Sequence, residues 1–276
     1  MNDVTHADQV RALFDAKAAG WPGKYAPDGR LAGRLCLLAD AVLDLTAVGG
    51  ELLDLGCGSG ELARTLAAAG YRVTGCDIAP RMLDEAAAAD RRRLVSWIRL
   101  DPGWRTLPFA PGSLDAVVAA SVLEYVPDSL AVLRECARVL RPGGILLCTV
   151  PDQAHPVRWL ECPLGLAALT PVAAAAAGAW PRLGRYVTYL RISRQRRTSR
   201  WWRATARTAG LRPAPLAGLP RARRPLRLLA FTLPADSLPA DSLPADSLPA
   251  DTRAADITRP GGAPGAGRHD SIGGLL

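Results

Sequence analysis

The chain has 276 residues, 49% of them hydrophobic, enough for one large domain or two small ones around a packed core. Its net charge of +8 is carried almost wholly by arginine, because Lys17 and Lys24 are the only lysines. The six cysteines include no C-x-x-C pair, which excludes the usual zinc spacings. MNDVTHADQVRALF has no basic region followed by an apolar core and so does not read as a signal peptide; a reduced, cytoplasmic setting is expected.

In chain order, an aromatic-bearing helical stretch, LFDAKAAGWPGKY, precedes a regular alternation of apolar runs and helical patterns. ELLDLG reads as a first strand, and GELARTLAAAG as the helix after it, closed by Gly70. YRVTGCD is a second strand, APRMLDEAAAAD a second helix and LVSWIRLD a third strand. SLDAVVAASVL contains a fourth strand, SLAVLRECARVL is a helix ended by RPGG, and GILLCTVP is a fifth strand. Strand and helix alternating at this spacing imply a parallel sheet covered on both faces, and the right-handed crossover rule gives a doubly wound α/β fold.

The regularity stops at residues 152–197. Cys162 to Pro181 is 20 residues without a charge, long enough to span a bilayer, but its alanines and three prolines favour a buried or interfacial segment. Between Glu161 and Asp236 no acidic residue occurs while 14 arginines do, from Arg182 to Arg227. Such a block suits phosphate, an anionic membrane surface or an acidic substrate, or is simply a solvated face. SRWWRATARTAGL reads as a helix with Thr198 or Ser199 as N-cap, and LRPAPLAGL and PLRLLAFTLP as two closing strands. Residues 235–276, with the LPADS repeat, cannot bury enough apolar surface to offset their ordering entropy and are expected to be disordered.

The chemistry concentrates in ELLDLGCGSGELA. Gly56, Gly58 and Gly60 follow a strand and open a helix, an arrangement that lets backbone approach a ligand closely. A dinucleotide fingerprint would place its third glycine where Glu61 stands. That acid and Asp54 repel pyrophosphate; a ligand carrying ammonium and sulfonium groups suits them. Asp77, 21 residues after Gly56, suits a carboxylate accepting from both ribose hydroxyls.

On these residues the chain resembles the class I S-adenosylmethionine-dependent methyltransferases. LLDLGCGSGELA resembles that family's first motif, VTGCDIAPRML its second, and LPFAPGSLDAVVAASVLEYVPD with RVLRPGGILLCTVP its later ones, typical of the small-molecule branch acting on quinone precursors, porphyrins and natural products. The resemblance implies a mostly parallel seven-stranded sheet with helices on both faces and an antiparallel last strand. It implies a helical lid over residues 1–50, a catalytic domain over 51–234 with a substrate roof at 152–197, and a tail beyond.

It also implies S-adenosylmethionine as cofactor. Asp54 is expected near the methionine ammonium, Gly56, Gly58 and Gly60 as the cradle, and Asp77 on the ribose. Ile78 and Met82 pack on ribose and adenine, Asp101 accepts from the adenine amine, Ser121 presents backbone to the methionine, and Trp21 and Tyr25 close the lid. Asp101 lies two residues further from LPF than relatives usually place it, which leaves Trp104 as a stacking alternative.

His155 lies just past the fifth strand and is the candidate general base. No metal-ligand spacing is present. The expected acceptor is a small, aromatic or lipid-like metabolite methylated at oxygen, with peripheral membrane contact and no nucleic acid. The competing readings are RNA methylation through the arginine block and a non-catalytic cofactor-binding protein.

Overall fold

In the computed structural model, the described residues are 5–29, 31–153, 155, 188–216 and 226–236. Nearly all of the expected tail, the uncharged segment and most of the expected roof lie outside them.

The chain opens with α1 (His6–Asp15), whose N-cap Thr5 accepts the amide of Asp8. Two 3₁₀ turns follow, Ala18–Gly20 and Pro22–Tyr25, and then α2 (Ala32–Leu45). The sheet is built from β1 (Glu51–Leu55), β2 (Arg72–Asp77), β3 (Val95–Arg99), β4 (Leu114–Ala120), β5 (Leu140–Pro151), β6 (Arg212–Pro213) and β7 (Leu226–Thr232). Between them run α3 (Glu61–Ala68), α4 (Pro80–Ala89), α5 (Ser129–Val139) and α6 (Ser199–Thr208).

The strand order is β3-β2-β1-β4-β5-β7-β6. Neighbours are parallel from β3 to β5, whereas β7 runs antiparallel to both β5 and β6. The doubly wound seven-stranded sheet expected from the motifs is therefore present.

Both faces are covered, and strand alternation divides the core between them. Leu53, Leu55, Val117, Leu146 and Cys148 pack with α5 and α6 on one side. Leu52, Val118, Ile145, Leu147 and Ala230 pack with α2 and α3 on the other. Trp202, 1% exposed, fastens α6 to the first cluster. Truncating so large a buried side chain costs about 3–5 kcal/mol.

One strand is much shorter than its sequence suggests. Among its described residues, LRPAPLAGL supplies the two-residue β6, paired Arg212 to Thr232 and Pro213 to Phe231, with one further bond from the Ala214 amide to Ala230. Pro213 and Pro215 have no amide hydrogen, so a ladder cannot run through them, and β6 is confined to the sheet edge.

Candidate functional site

The carboxyl ends of β1, β2, β4 and β5 and the amino end of the antiparallel β7 open into one cavity of about 910 Å³. This is where a doubly wound sheet receives ligands, at the point where connections diverge to its two faces.

The glycine loop forms the wall between β1 and α3. Gly56, Gly58 and Gly60 have φ values of +70°, +56° and +77°. At Gly58 the requirement is double. The left-handed backbone favours glycine, and a Cβ there would lie 3.2 Å from the Trp21 indole nitrogen. Gly60 is the N-cap of α3 and faces away from the cavity, against Trp97. Met82, fully buried, backs the loop from α4.

Asp77, at the end of β2, ties the loop together. Its two carboxylate oxygens accept the amides of Gly58 and Ala79, each at 2.9 Å. Burial raises its pKa, opposed by those amides and that of Ile78.

Asp54, at the end of β1, is only 2% exposed, and its Oδ2 has no hydrogen-bond partner. Desolvation first, and the neighbouring Asp77 second, push its pKa up to about 7, while Arg34 and the Ala63 amide pull the other way. A buried carboxylate oxygen without a partner costs free energy unless a ligand cation reaches it.

Arg34, on α2, was absent from the sequence-based set. It reaches the same floor, donating to the Ala120 carbonyl at 2.9 Å and the Ser121 hydroxyl at 3.1 Å, while its Nε is buried and unpaired. A signal was available in the sequence. Leu31, Leu35 and Leu38 form an i, i+4, i+7 apolar stripe, and Arg34 is a charge set on that stripe. Ser121 itself has φ +59°, uncommon for a residue with a side chain, and lines the cavity at the end of β4.

The expected lid contacts also lie at the cavity. Trp21 and Tyr25 line it, with Phe14 beside them. Phe14 packs edge to face on Trp21 at 5.6 Å and on Tyr125 at 5.3 Å, and Tyr125 continues to Tyr189 at 6.5 Å. Lys24 stands 3.4 Å over the Trp21 ring. His6 Nε2 hydrogen-bonds the Tyr125 carbonyl at 2.9 Å, joining α1 to the β4–α5 loop.

Besides Gly60 and Met82, which stand behind the loop and do not line the cavity, two further expected residues lie elsewhere. Asp101 is exposed and does not line the cavity, whereas Ile78, Leu100 and Trp104 do. His155 donates its amide to the Asp152 carbonyl at 3.0 Å and does not line the cavity. Among the described residues no cluster of His, Cys, Asp or Glu could hold a metal ion, and no helix is long and apolar enough to cross a membrane.

S-adenosylmethionine fits this donor set. Asp54 offers an unpaired anion for an ammonium, Arg34 an unpaired N–H for a carboxylate, Asp77 a carboxylate for ribose, and Ile78, Leu100 and Trp104 an apolar wall for a base.

Comparison with known proteins agrees. Residues 53–148 match the family model described as a methyltransferase domain. The ubiquinone biosynthesis O-methyltransferase of Sodalis glossinidius (strain morsitans) is 33% identical over 163 residues, which is 56% of this chain and 63% of that protein. The demethylmenaquinone methyltransferase of Tropheryma whipplei (strain Twist) is 35% identical over 161 residues, with the same two shares, 56% and 63%. The chain therefore spans a little under two thirds of the length of these curated relatives.

The magnesium protoporphyrin IX methyltransferase of Synechocystis PCC 6803, solved with S-adenosylhomocysteine bound, shares the fold at a TM-score of 0.57 and 19% identity, covering 81% of this chain and 97% of that one. Its S-adenosylmethionine complex gives the same TM-score, 0.57, at 18% identity, covering 84% and 99% of the two chains. By motif, fold and cavity together, residues 53–148 form a methyltransferase domain, and S-adenosylmethionine is the cofactor that its cavity fits.

Proposed function

We propose that this protein transfers a methyl group from S-adenosylmethionine to an oxygen of a small, fairly hydrophobic, quinone-type or phenolic metabolite. The observation that carries the reading is the unpaired, buried Oδ2 of Asp54 beside the glycine loop, a place prepared for a ligand ammonium. When bound, the cofactor supplies the activated methyl on its sulfonium. The chain contributes position and exclusion of water. Asp54 and Arg34 grip the two charges of the methionine end, Asp77 holds the ribose, and residues 1–50 close over the site with Trp21 and Tyr25. The names of the two curated relatives, which act on small molecules, support this reading over RNA methylation or a non-catalytic role.

The acceptor is a greasy ring. Phe14, Tyr125 and Tyr189 supply aromatic wall, and Leu226 and Leu228 supply apolar wall on β7, which the strand order sets away from Asp77 on β2. Arg194, Arg197, Arg200, Arg203, Arg207 and Arg212 are exposed, in a stretch with no acidic residue, and this basic face suits an anionic membrane surface that could deliver a lipid-like acceptor.

The testing experiment is calorimetric titration of S-adenosylmethionine and S-adenosylhomocysteine into the wild type and Asp77→Ala. Wild-type binding, weakened by about 1.5–3 kcal/mol in the variant, supports the reading, because the lost hydrogen bonds have a charged acceptor. Wild-type protein that binds neither ligand overturns it. An acceptor screen over phenols and quinols, read as S-adenosylhomocysteine formed, then decides the chemistry.

A further inference from the structure

The strand order lays out the cavity floor as a row of positions. From β2 through β1, β4 and β5 to β7, the carboxyl edge presents Asp77, Asp54, Ser121, Thr149 and Leu228. Register fixes the last steps, since Thr149 pairs with Ala120 on β4 and with Leu228 on β7. Alternation puts Thr149 on the same sheet face as Ile145, Leu147, Leu228 and Ala230, the face that also carries Leu52 and Asp54. If the cofactor occupies the first positions, as proposed above, Ser121 marks the crossing point and Thr149 is the first residue beyond it.

Thr149 stands out chemically. From Ile145 to Val150, strand β5 reads ILLCTV and is buried throughout, and Thr149, 3% exposed, carries its one hydroxyl. Its wall neighbours on the adjoining strand, Leu226 and Leu228, are apolar. A hydroxyl in such a place needs partners. Thr149 Oγ1 lies 3.3 Å from Ser121 Oγ, and Ser121 Oγ already accepts a guanidinium N–H of Arg34 at 3.1 Å.

Counting protons shows what is left over. Each hydroxyl has one hydrogen to donate, and the single Ser121–Thr149 bond uses only one of the two. Either hydroxyl can be the donor in that bond; in the arrangement in which Arg34 donates into Ser121 and Ser121 into Thr149, the Thr149 hydrogen is left to donate at the cavity floor. The cationic head of this chain makes that terminal hydroxyl a stronger donor.

We propose that Thr149 is the acceptor-side anchor: its hydroxyl donates to a ring oxygen, phenolic or carbonyl, of an aromatic acceptor lying against Leu226 and Leu228. The inference rests on the cofactor assignment above. It selects oxygenated rings over plain hydrocarbons of equal size, and it makes Thr149 a positioning residue.

The test uses a matched pair of probes, 2-naphthol and naphthalene, titrated onto full-length protein loaded with S-adenosylhomocysteine. Wild type should bind 2-naphthol roughly threefold to tenfold better than naphthalene, the range of one neutral hydrogen bond. In Thr149→Val that preference should vanish while naphthalene and S-adenosylhomocysteine bind as before, and Thr149→Ser should restore it. A wild type that fails to prefer 2-naphthol, or binds neither probe, overturns the proposal, as does a preference that survives in Thr149→Val. Loss of S-adenosylhomocysteine binding by the wild type would instead overturn the cofactor reading.

Discussion

Arg34 and Ser121, 87 positions apart in sequence, are joined by a 3.1 Å hydrogen bond from guanidinium to hydroxyl. The same guanidinium holds the carbonyl of Ala120 at 2.9 Å, so the start of α2 is fastened to the carboxyl end of β4. Helix, strand end and the left-handed Ser121 are thereby set around one point of the cavity floor.

The first prediction follows from that point. Arg34→Ala should weaken S-adenosylhomocysteine by about 1.5–3 kcal/mol, the range for a hydrogen bond to a charged group. It should leave 5′-methylthioadenosine, which has no amino-acid end, bound as tightly as to the wild type. Calorimetry with the two ligands separates the roles, because Asp77→Ala should weaken both.

Asp54 makes the protein's behaviour depend on pH. Its pKa is raised from 3.8 to about 7, so the folded state favours the protonated form. That contribution is fully present below pH 3.8 and is lost as pH rises through about 7, a swing of ~4 kcal/mol. In ligand-free protein, Asp54→Asn should lack this decline, as read from urea unfolding at a series of pH values. Ligand binding should run the opposite way, because the ammonium needs the ionised form. S-adenosylhomocysteine affinity should rise on the order of tenfold between about pH 5.5 and 7 in the wild type, and stay flat in Asp54→Asn. An equally flat wild-type profile would remove Asp54 from the ammonium site.

Asp77 also has a structural duty that the sequence did not disclose. Because Gly58 and Ala79 both donate to it, Asp77→Ala leaves two amides without a partner and should lower stability by roughly 2–4 kcal/mol before any ligand is added. Asp77→Asn retains one acceptor oxygen and should lose about half as much. Denaturant midpoints of the ligand-free variants give the comparison.

Behind the loop, Gly75 makes room for Trp97. A Cβ at Gly75 would lie 2.5 Å and 2.7 Å from two indole carbons. Gly75→Ala should cost about 1–3 kcal/mol by overpacking. The Trp97→Leu background should reduce that cost, giving a coupling well above 0.5 kcal/mol in a double-mutant cycle. Purely additive effects would mean that the indole is not what Gly75 accommodates.

The alternation of apolar runs and helical patterns determined the doubly wound sheet, since β1 to β5 and their helices each bury a face whose period is visible locally. Gly56, Gly58, Asp54 and Asp77 were legible for the same reason: they sit at strand ends, where the motif and the site coincide. LRPAPLAGL was misread because apolar spacing counts side chains and ignores the missing amides of Pro213 and Pro215.

What only the tertiary structure decided was which distant residues share the cavity. Ser121, Thr149 and Leu228 follow one another across the cavity floor because strand order sets β4, β5 and β7 side by side, while Arg34 reaches that floor from α2 and Tyr189 lines the cavity from a later segment. The same packing places Asp101 and His155 off the cavity lining, although each follows a strand at the expected edge. Local periodicity specifies which way a side chain faces on its own element. Convergence of side chains from separate elements depends on registers and crossings that no single stretch contains.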